Sequence, residues 1–507
     1  MNLNLAYPLY LRAQERPDSV ALNVANNSYT YGQLTNLAKR TAFDLGSSHK
    51  VGVLASRSLG AYVGLLGAAW CGALYVPLDP KTPDERLKCI LSIIDLDALI
   101  VDESGQARLN SEVRKVAPDL IIDASRPSLT SPIQTEFAPR AQESGELAYV
   151  LFTSGTTGVP KGVMVSVGSV HHFLSAMQDR CRLVETDRVS QTSALVFDVS
   201  VFEMFATWSA GASLHVIPAG QLMAPARFIS DHQLTIWSSV PSIAAFMRKM
   251  NMLKPGAFPS LRYSVFAGEA LPYSLAKAWQ NSAFNSVVEN LYGPTEATVY
   301  CLGATVGPQF PPTPGRDTVP SGFPLPGVAA AIVDHELRLL GPGNEGQLAI
   351  SGEQLAQGYY GEPDLTKKSF PTIAGQRWYL TGDSAFLDER GVFHHLGRID
   401  HQVKILGQRV ELEEIEAHLR AVCDSDEVAA IGWPIQDGMV TGLVAFTGRV
   451  KCSQLEIRSA LAARVPVYMM PSRIIQMDAL PLGVTGKIDR TALVRHLNES
   501  TPTESSG

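Results

Sequence analysis

Short apolar runs alternate with longer helical patterns along this chain, and that alternation restricts the fold more than any other feature. VGVLAS (51–56) precedes SLGAYVGLLGAAW (58–70), ALIVDE (98–103) precedes SGQARLNSEVRKV (104–116), and RYSVFAG (262–268) precedes SLAKAWQNSA (274–283). The pattern predicts α/β layers with mainly parallel strands. With 507 residues the chain exceeds what one ordinary core organises, so two or more domains are expected. No period of 20–50 residues repeats, which excludes solenoids and propellers.

Local composition marks the boundaries. Residues 307–327 are crowded with Pro and Gly and read as a long surface loop. A boundary follows LGRID, ending at Asp400, and HQVKILGQRVELEEIEAHL (401–419) reads as a strand pair and then a helix. The terminal STPTESSG reads as disordered. Ala61–Leu78 lacks charge, yet its Gly and Ala content and the turn at Pro77–Pro80 predict a buried helix and a short strand, not a membrane span. The N-terminus has no basic region followed by an apolar run, so no signal peptide is expected. Six scattered cysteines without a C-x-x-C pair suit a reduced, cytoplasmic protein. A net charge of −7 argues against nucleic-acid binding.

The chemistry concentrates in a few motifs. After the apolar run AYVLF comes TSGTTGVPKG (153–162). Gly155, Gly158 and Gly162 allow backbone N–H groups close to phosphate oxygens, Thr153, Ser154, Thr156 and Thr157 add hydroxyls, and Lys161 adds a point charge. The spacing differs from a P-loop, because no Ser or Thr follows the lysine directly. As a bare pattern it would also serve as a solvated turn. In NLYGPTE (290–296), Tyr292 can stack on a purine, Thr295 can touch a phosphate and Glu296 can ligate Mg²⁺. Alone, the same stretch reads equally as a capped helix start. YLTGD (379–383) is expected to end a strand with a carboxylate suited to both ribose hydroxyls. GRID (397–400), KILGQRVE (404–411) and PLGVTGKIDR (481–490) complete the set.

In this order and over essentially the whole chain, these motifs resemble the adenylate-forming superfamily of acyl-CoA synthetases, non-ribosomal peptide synthetase adenylation domains and luciferases. The resemblance implies a large N-terminal domain of stacked β-sheets flanked by helices (1–399), a small α+β C-terminal lid (400–497) hinged at Asp400, and a tail (498–507). It implies ATP and Mg²⁺ as cofactors. Thr153 to Gly158 and Lys161 would hold phosphates, and Gly268, Glu269, Asn290, Tyr292, Gly293 and Thr295 would meet the nucleotide. Glu296 would be the metal acid, and Asp383 and Arg398 the ribose partners. His395 stands where relatives often carry a Tyr that packs on adenine, and Val167 where they often carry His. In the family the lid brings Lys487 onto the carboxylate and α-phosphate, then rotates to present the strand near Lys404 and Gly407 for thioester formation. A carboxylate nearing a triphosphate is repelled by like charge, which a cation must offset.

FDVSVFE (197–203) discriminates within that family. It looks like the segment of amino-acid-activating members, where the aspartate corresponding to Asp198 pairs with the substrate ammonium. A helix N-cap is the alternative role. By the same resemblance Asp198, Val199, Phe202, Ser238, Val265, Ala267, Leu291, Val299 and Tyr300 line the side-chain pocket. Asp198 is its one charge, so a charged side chain would lack a partner. Ser238 leaves room for a medium-sized group. Ala267, Leu291 and Val299 are similar to prolyl-activating enzymes, although Ser238 departs from the aromatic expected there. Proline or a similar neutral amino acid is therefore the expected substrate. No carrier domain follows Arg490, so a stand-alone enzyme loading a separate phosphopantetheine carrier protein is expected. A D-alanine–carrier ligase, to which Tyr468–Ser472 is similar, an acyl- or aryl-CoA synthetase and an inactive binding protein are the competing readings. His171, His172, His394 and His401 have no spacing suited to a metal site.

Overall fold

Helix starts and stops follow local chemistry. Thr30 and Gln33 form a reciprocal capping box that opens the helix Tyr31–Leu45. Ser58 caps Leu59–Cys71, which ends on the left-handed Gly72. Leu59–Cys71 is buried almost throughout, followed by the strand Leu74–Leu78, as the uncharged run predicts. Gly67 matters for packing, because a Cβ there would lie 2.7 Å from the Thr41 side chain on the neighbouring helix. No helix among the described residues is long and apolar enough to cross a membrane.

The computed structural model describes residues 2–127, 137–155, 158–436, 439–482 and 488–500. They divide into two units, one of residues 1–80, 90–152 and 161–399, the other of residues 81–89, 153–160 and 400–507. The first unit holds a nine-stranded, a seven-stranded and a five-stranded sheet among its described residues. The centre of the nine-stranded sheet is parallel, running Arg188–Gln191, Ile236–Ser239, Tyr263–Ala267 and Val287–Tyr292 side by side. Both edges turn antiparallel, one through Leu302–Thr305 and the other through Asn27–Thr30. One apolar core, including Val53, Tyr149, Leu214 and Leu348, joins side chains from all three sheets. A second core of Trp237, Phe266 and Trp279 packs the helices Pro241–Lys249 and Tyr273–Ser282 on the opposite face of the nine-stranded sheet.

The second unit carries a three-stranded sheet of Val428–Gly432, Leu443–Thr447 and Arg473–Gln476. The strand pair Val403–Ile405 and Gln408–Val410 precedes the helix Leu412–Cys423, matching the sequence pattern. Arg490 at the start of the helix Arg490–Ser500 pairs with Glu416 at 2.6 Å. That helix takes in residues 498–500, which the sequence assigns to a disordered tail; residues 501–507 lie outside the described residues.

Two further expectations change. The Pro- and Gly-rich stretch 307–327 is not purely a surface loop: Phe310 and Val319 are buried in the second core, and Phe323–Pro324 forms an edge strand. Apolar anchors spaced between prolines hold it down. Asp383 does not end its strand but sits within Tyr379–Leu387, opposite Arg398, beside a bulge at Ser384/Ala385. The bulge adds a residue without terminating the ladder.

Candidate active site

Ligands of open parallel sheets bind beyond the carboxyl ends of the strands. Three adjacent strands, Ile236–Ser239, Tyr263–Ala267 and Val287–Tyr292, end together and run into the turns that carry Gly268–Glu269 and Gly293–Glu296. Side chains alternate across a strand. Phe266 therefore enters the outer core while Val265 and Ala267 enter the central one. Phe202, Leu291, Val299 and Tyr300 belong to the same central core, and Val199 packs against it. Ser238 pairs in register with Val265, and Ala267 with Leu291. Phe202 and Tyr300 meet edge to face at 5.7 Å, with Phe173 completing a triad. Ser238, Val265, Ala267 and Leu291, four of the nine residues expected to line a pocket, thus fall on one face of the sheet, and Val199, Phe202, Val299 and Tyr300 pack in or against the same core.

Asp198 makes no side-chain cap to the helical turn Val199–Val201, so capping is not its role. Its charge reaches the phenols of Tyr149 and Tyr300. Both are pushed well above the ordinary tyrosine value, by burial first and by neighbouring charges including Asp198. Glu203 is fully buried in the adjoining π-helical turn Phe202–Ala206. Its carboxyl accepts the Thr192 N–H and hydroxyl at 3.2 and 3.1 Å and the Ser193 N–H at 3.2 Å. It thereby ties the segment before Asp198 to the turn after it.

Burial raises the Glu203 carboxyl to about 7, against the lowering effect of those donors and of Arg57. A carboxyl raised on folding favours the native state while protonated. That contribution is complete below about pH 4.5 and is lost as the pH rises through 7. Glu203→Gln, which cannot ionise, is expected to remove this loss, on the order of 3 kcal/mol across that window. Chemical denaturation of both proteins from pH 5 to pH 8 checks it, and parallel stability curves would contradict it.

A second cluster surrounds Asp383. Its carboxylate accepts from Arg398 Nη1 at 3.0 Å, from the Tyr292 hydroxyl, and pairs with His395 Nε2 at 3.3 Å. Tyr292 and His395 rings lie 6.1 Å apart. The four expected nucleotide residues Tyr292, Asp383, His395 and Arg398 therefore share one site. Asn290 Nδ2 donates to the carbonyls of Val319 and Pro320 at 3.2 and 2.9 Å and pins the proline-rich stretch. Glu269 accepts the N–H of Ser242 at the start of the helix Pro241–Lys249, and Gly268 has φ +87°. Gly293 permits a close approach, because a Cβ there would meet the Val299 carbonyl oxygen at 2.3 Å.

Thr295 and Glu296 lie in a single 3-10 turn, Thr295–Ala297, rather than at the start of a longer helix. Glu296 is fully buried and accepts from the Tyr359 hydroxyl at 2.8 Å. Lys161 Nζ lies 5.5 Å from the centre of the Tyr359 ring. Among the described residues no group of three or more metal-ligating side chains exists. A lone carboxylate fits Mg²⁺ bound chiefly through substrate phosphates and water. Tyr359 was not among the residues singled out from sequence; its partner lies 63 positions away, beyond any local motif.

Within the second unit, Gly155 N–H donates to the Glu414 carboxylate at 3.1 Å and Ser154 Oγ to the Arg409 carbonyl at 3.0 Å. An N–H that takes a carboxylate oxygen is chemically suited to a phosphate oxygen. Gly158 has φ +85° and Thr153 ends the strand Leu147–Thr153. Lys404 lies on Val403–Ile405, directly after Asp400 and its neighbours. Thr156, Thr157 and Lys487 lie outside the described residues.

Comparison with known proteins agrees with this geometry. Residues 9–360 match the family model described as AMP-binding enzyme. The chain is 31% identical over 503 residues to Tyrocidine synthase 2 of Brevibacillus parabrevis, and 32% identical over 498 residues to Gramicidin S synthase 1 of Brevibacillus brevis. These matches cover 97% and 95% of the chain but only 14% and 43% of the two relatives, so the chain spans less than half the length of either. The adenylation domain AlmE of Vibrio cholerae, solved with glycyl-adenosine-5'-phosphate, superposes with a TM-score of 0.87 at 30% identity, covering 99% of this chain and 98% of that one. With strand ends, nucleotide cluster and near-complete structural correspondence in agreement, this chain belongs to the AMP-binding enzyme family.

Proposed function

We propose that the chain uses ATP to activate a neutral amino acid as its aminoacyl-adenylate, and then passes the aminoacyl group to the phosphopantetheine thiol of a separate carrier protein. The observation that supports this most is the shared ending of three parallel strands, which carry Ser238, Ala267 and Leu291 near their ends and lead into Gly268–Glu269 and Gly293–Glu296. A substrate carboxylate held between those two groups would be directed at the α-phosphorus. One carboxylate oxygen bonds to that phosphorus, the bond to the bridging oxygen breaks, and pyrophosphate leaves with the electron pair. In the second step the carrier sulfur bonds to the acyl carbon, AMP departs, and the thiol proton is lost to solvent.

The residues divide the work between them. Asp198 holds the ammonium group and so fixes the carboxylate end. Asp383 accepts the ribose hydroxyls, oriented by Arg398 and Tyr292. Tyr292 and His395 flank the adenine. The backbone of Thr153–Gly158, with Lys161, receives phosphate oxygens. Glu296 would hold Mg²⁺, which would neutralise phosphate charge. Lys487 offsets the repulsion between carboxylate and α-phosphate, on a C-terminal region hinged at Asp400, and Lys404 serves the thioester step.

The pocket's uncharged lining favours a neutral side chain. Proline leads the panel because of Ala267, Leu291 and Val299. The contact between Phe202 and Tyr300, with the glycyl-adenylate of AlmE, keeps glycine and alanine of both hands in the same panel. Trapping with hydroxylamine across amino, fatty and aryl acids tests the reading. Hydroxamates of neutral amino acids, with AMP formed in equal amount, are expected. Hydroxamates from fatty or aryl acids alone would overturn it, and thioester formation on coenzyme A but on no carrier would overturn its second half.

A further inference from the structure

The turn that carries Glu296 continues through two residues in an unusual backbone conformation. Thr298 has φ +55° and Val299 φ +69°, a region that β-branched side chains strongly disfavour. Such strain persists only where neighbouring groups over-determine the chain. Here the neighbour is Gln354, which is 1% exposed. Its Nε2 donates to the carbonyls of Tyr300 at 2.7 Å, Ala297 at 3.2 Å and Thr298 at 3.4 Å. In return Thr298 Oγ1 donates to the Gln354 carbonyl at 2.6 Å, and the Ala356 N–H donates to the Glu296 carbonyl at 2.9 Å. The segment bearing Gln354 is itself anchored. Arg377 donates to the Ala356 and Gln357 carbonyls, both at 2.9 Å, and Ser169 Oγ to the Leu355 carbonyl at 3.2 Å.

We infer that Gln354 is a positioning residue, a clamp that holds Ala297–Tyr300 in its strained path and so fixes Glu296 on one side and the pocket residues Val299 and Tyr300 on the other. An amide is well matched to this position, since one planar donor head reaches several carbonyls that have left the regular ladder and brings no charge into a buried site. Without it the strained peptides would relax toward ordinary φ values and carry Glu296 and Tyr300 with them. This rests on the roles proposed above for Glu296 and the pocket.

Gln354→Met keeps the length of the side chain and removes the donors. The expected result is amide hydrogen exchange at 297–301 accelerated tenfold or more, with exchange elsewhere unchanged. In adenylation, kcat should fall about tenfold, the Mg²⁺ concentration for half-maximal rate should rise, and selectivity across the amino-acid panel should broaden. Thr298→Val, which removes only the returning hydroxyl, should show the same signature more weakly and decides the matter if Gln354→Met does not fold. Wild-type exchange and kinetics in the folded variants would overturn the inference. So would a uniform rise in exchange with unchanged selectivity, the mark of a merely structural residue. A wild type that activates no acid would count against the proposed function instead, since the exchange experiment needs no substrate.

Discussion

Asp198→Ala is expected to abolish amino-acid-dependent adenylation while leaving ATP binding intact. In the proposed reading the substrate ammonium enters a pocket whose other lining residues carry no charge, so removing its partner would leave a desolvated cation uncompensated. Breaking a buried ion pair in this way costs about 3–5 kcal/mol, on the order of 10²–10³-fold or more in kcat/KM. The effect on folding should be small, because Asp198 does not cap the turn that follows it. Binding of a fluorescent ATP analogue measured beside adenylate formation separates the two roles. Normal turnover in the variant would show the ammonium assignment to be wrong, and loss of ATP binding would point to a structural role.

Lys487→Ala is the second large expected effect. Carboxylate attack on ATP brings like charges together, and a fixed cation that lowers that repulsion contributes only where the charges converge. Removing one preorganised group of this kind costs on the order of 10²–10³-fold in rate. Adenylate formation should fall by that factor. Transfer from a chemically prepared aminoacyl-adenylate to the carrier thiol should remain close to wild type, because no phosphate attack occurs in that step. Equal loss in both half-reactions would contradict the assignment.

The chain's motifs made the candidate site's residues legible because each is a short string whose residues lie within a few positions of one another. Ser238, Val265, Ala267 and Leu291, grouped in one pocket by the family resemblance, lie on neighbouring strands, and their shared face follows from a period of two. What sequence could not show is pairing across distance. Asp383 was expected to end its strand, but the ladder with Phe393–Arg398 continues past a bulge. The bonds that Asn290 Nδ2 donates to the Val319 and Pro320 carbonyls are likewise invisible in the motif. Gln354 and Tyr359 carry no motif at all; their importance arises from carbonyls and a carboxylate more than fifty positions earlier in the chain.

The central claim is that one site joins an amino acid to ATP through its carboxylate, and exchange of labelled pyrophosphate into ATP reads that step without any carrier. The account predicts rapid exchange that depends on Mg²⁺ and on a neutral amino acid, with little response to acidic, basic, fatty or aryl acids. Exchange driven only by acids lacking an α-amino group, or none with any acid offered to the folded protein, would contradict it.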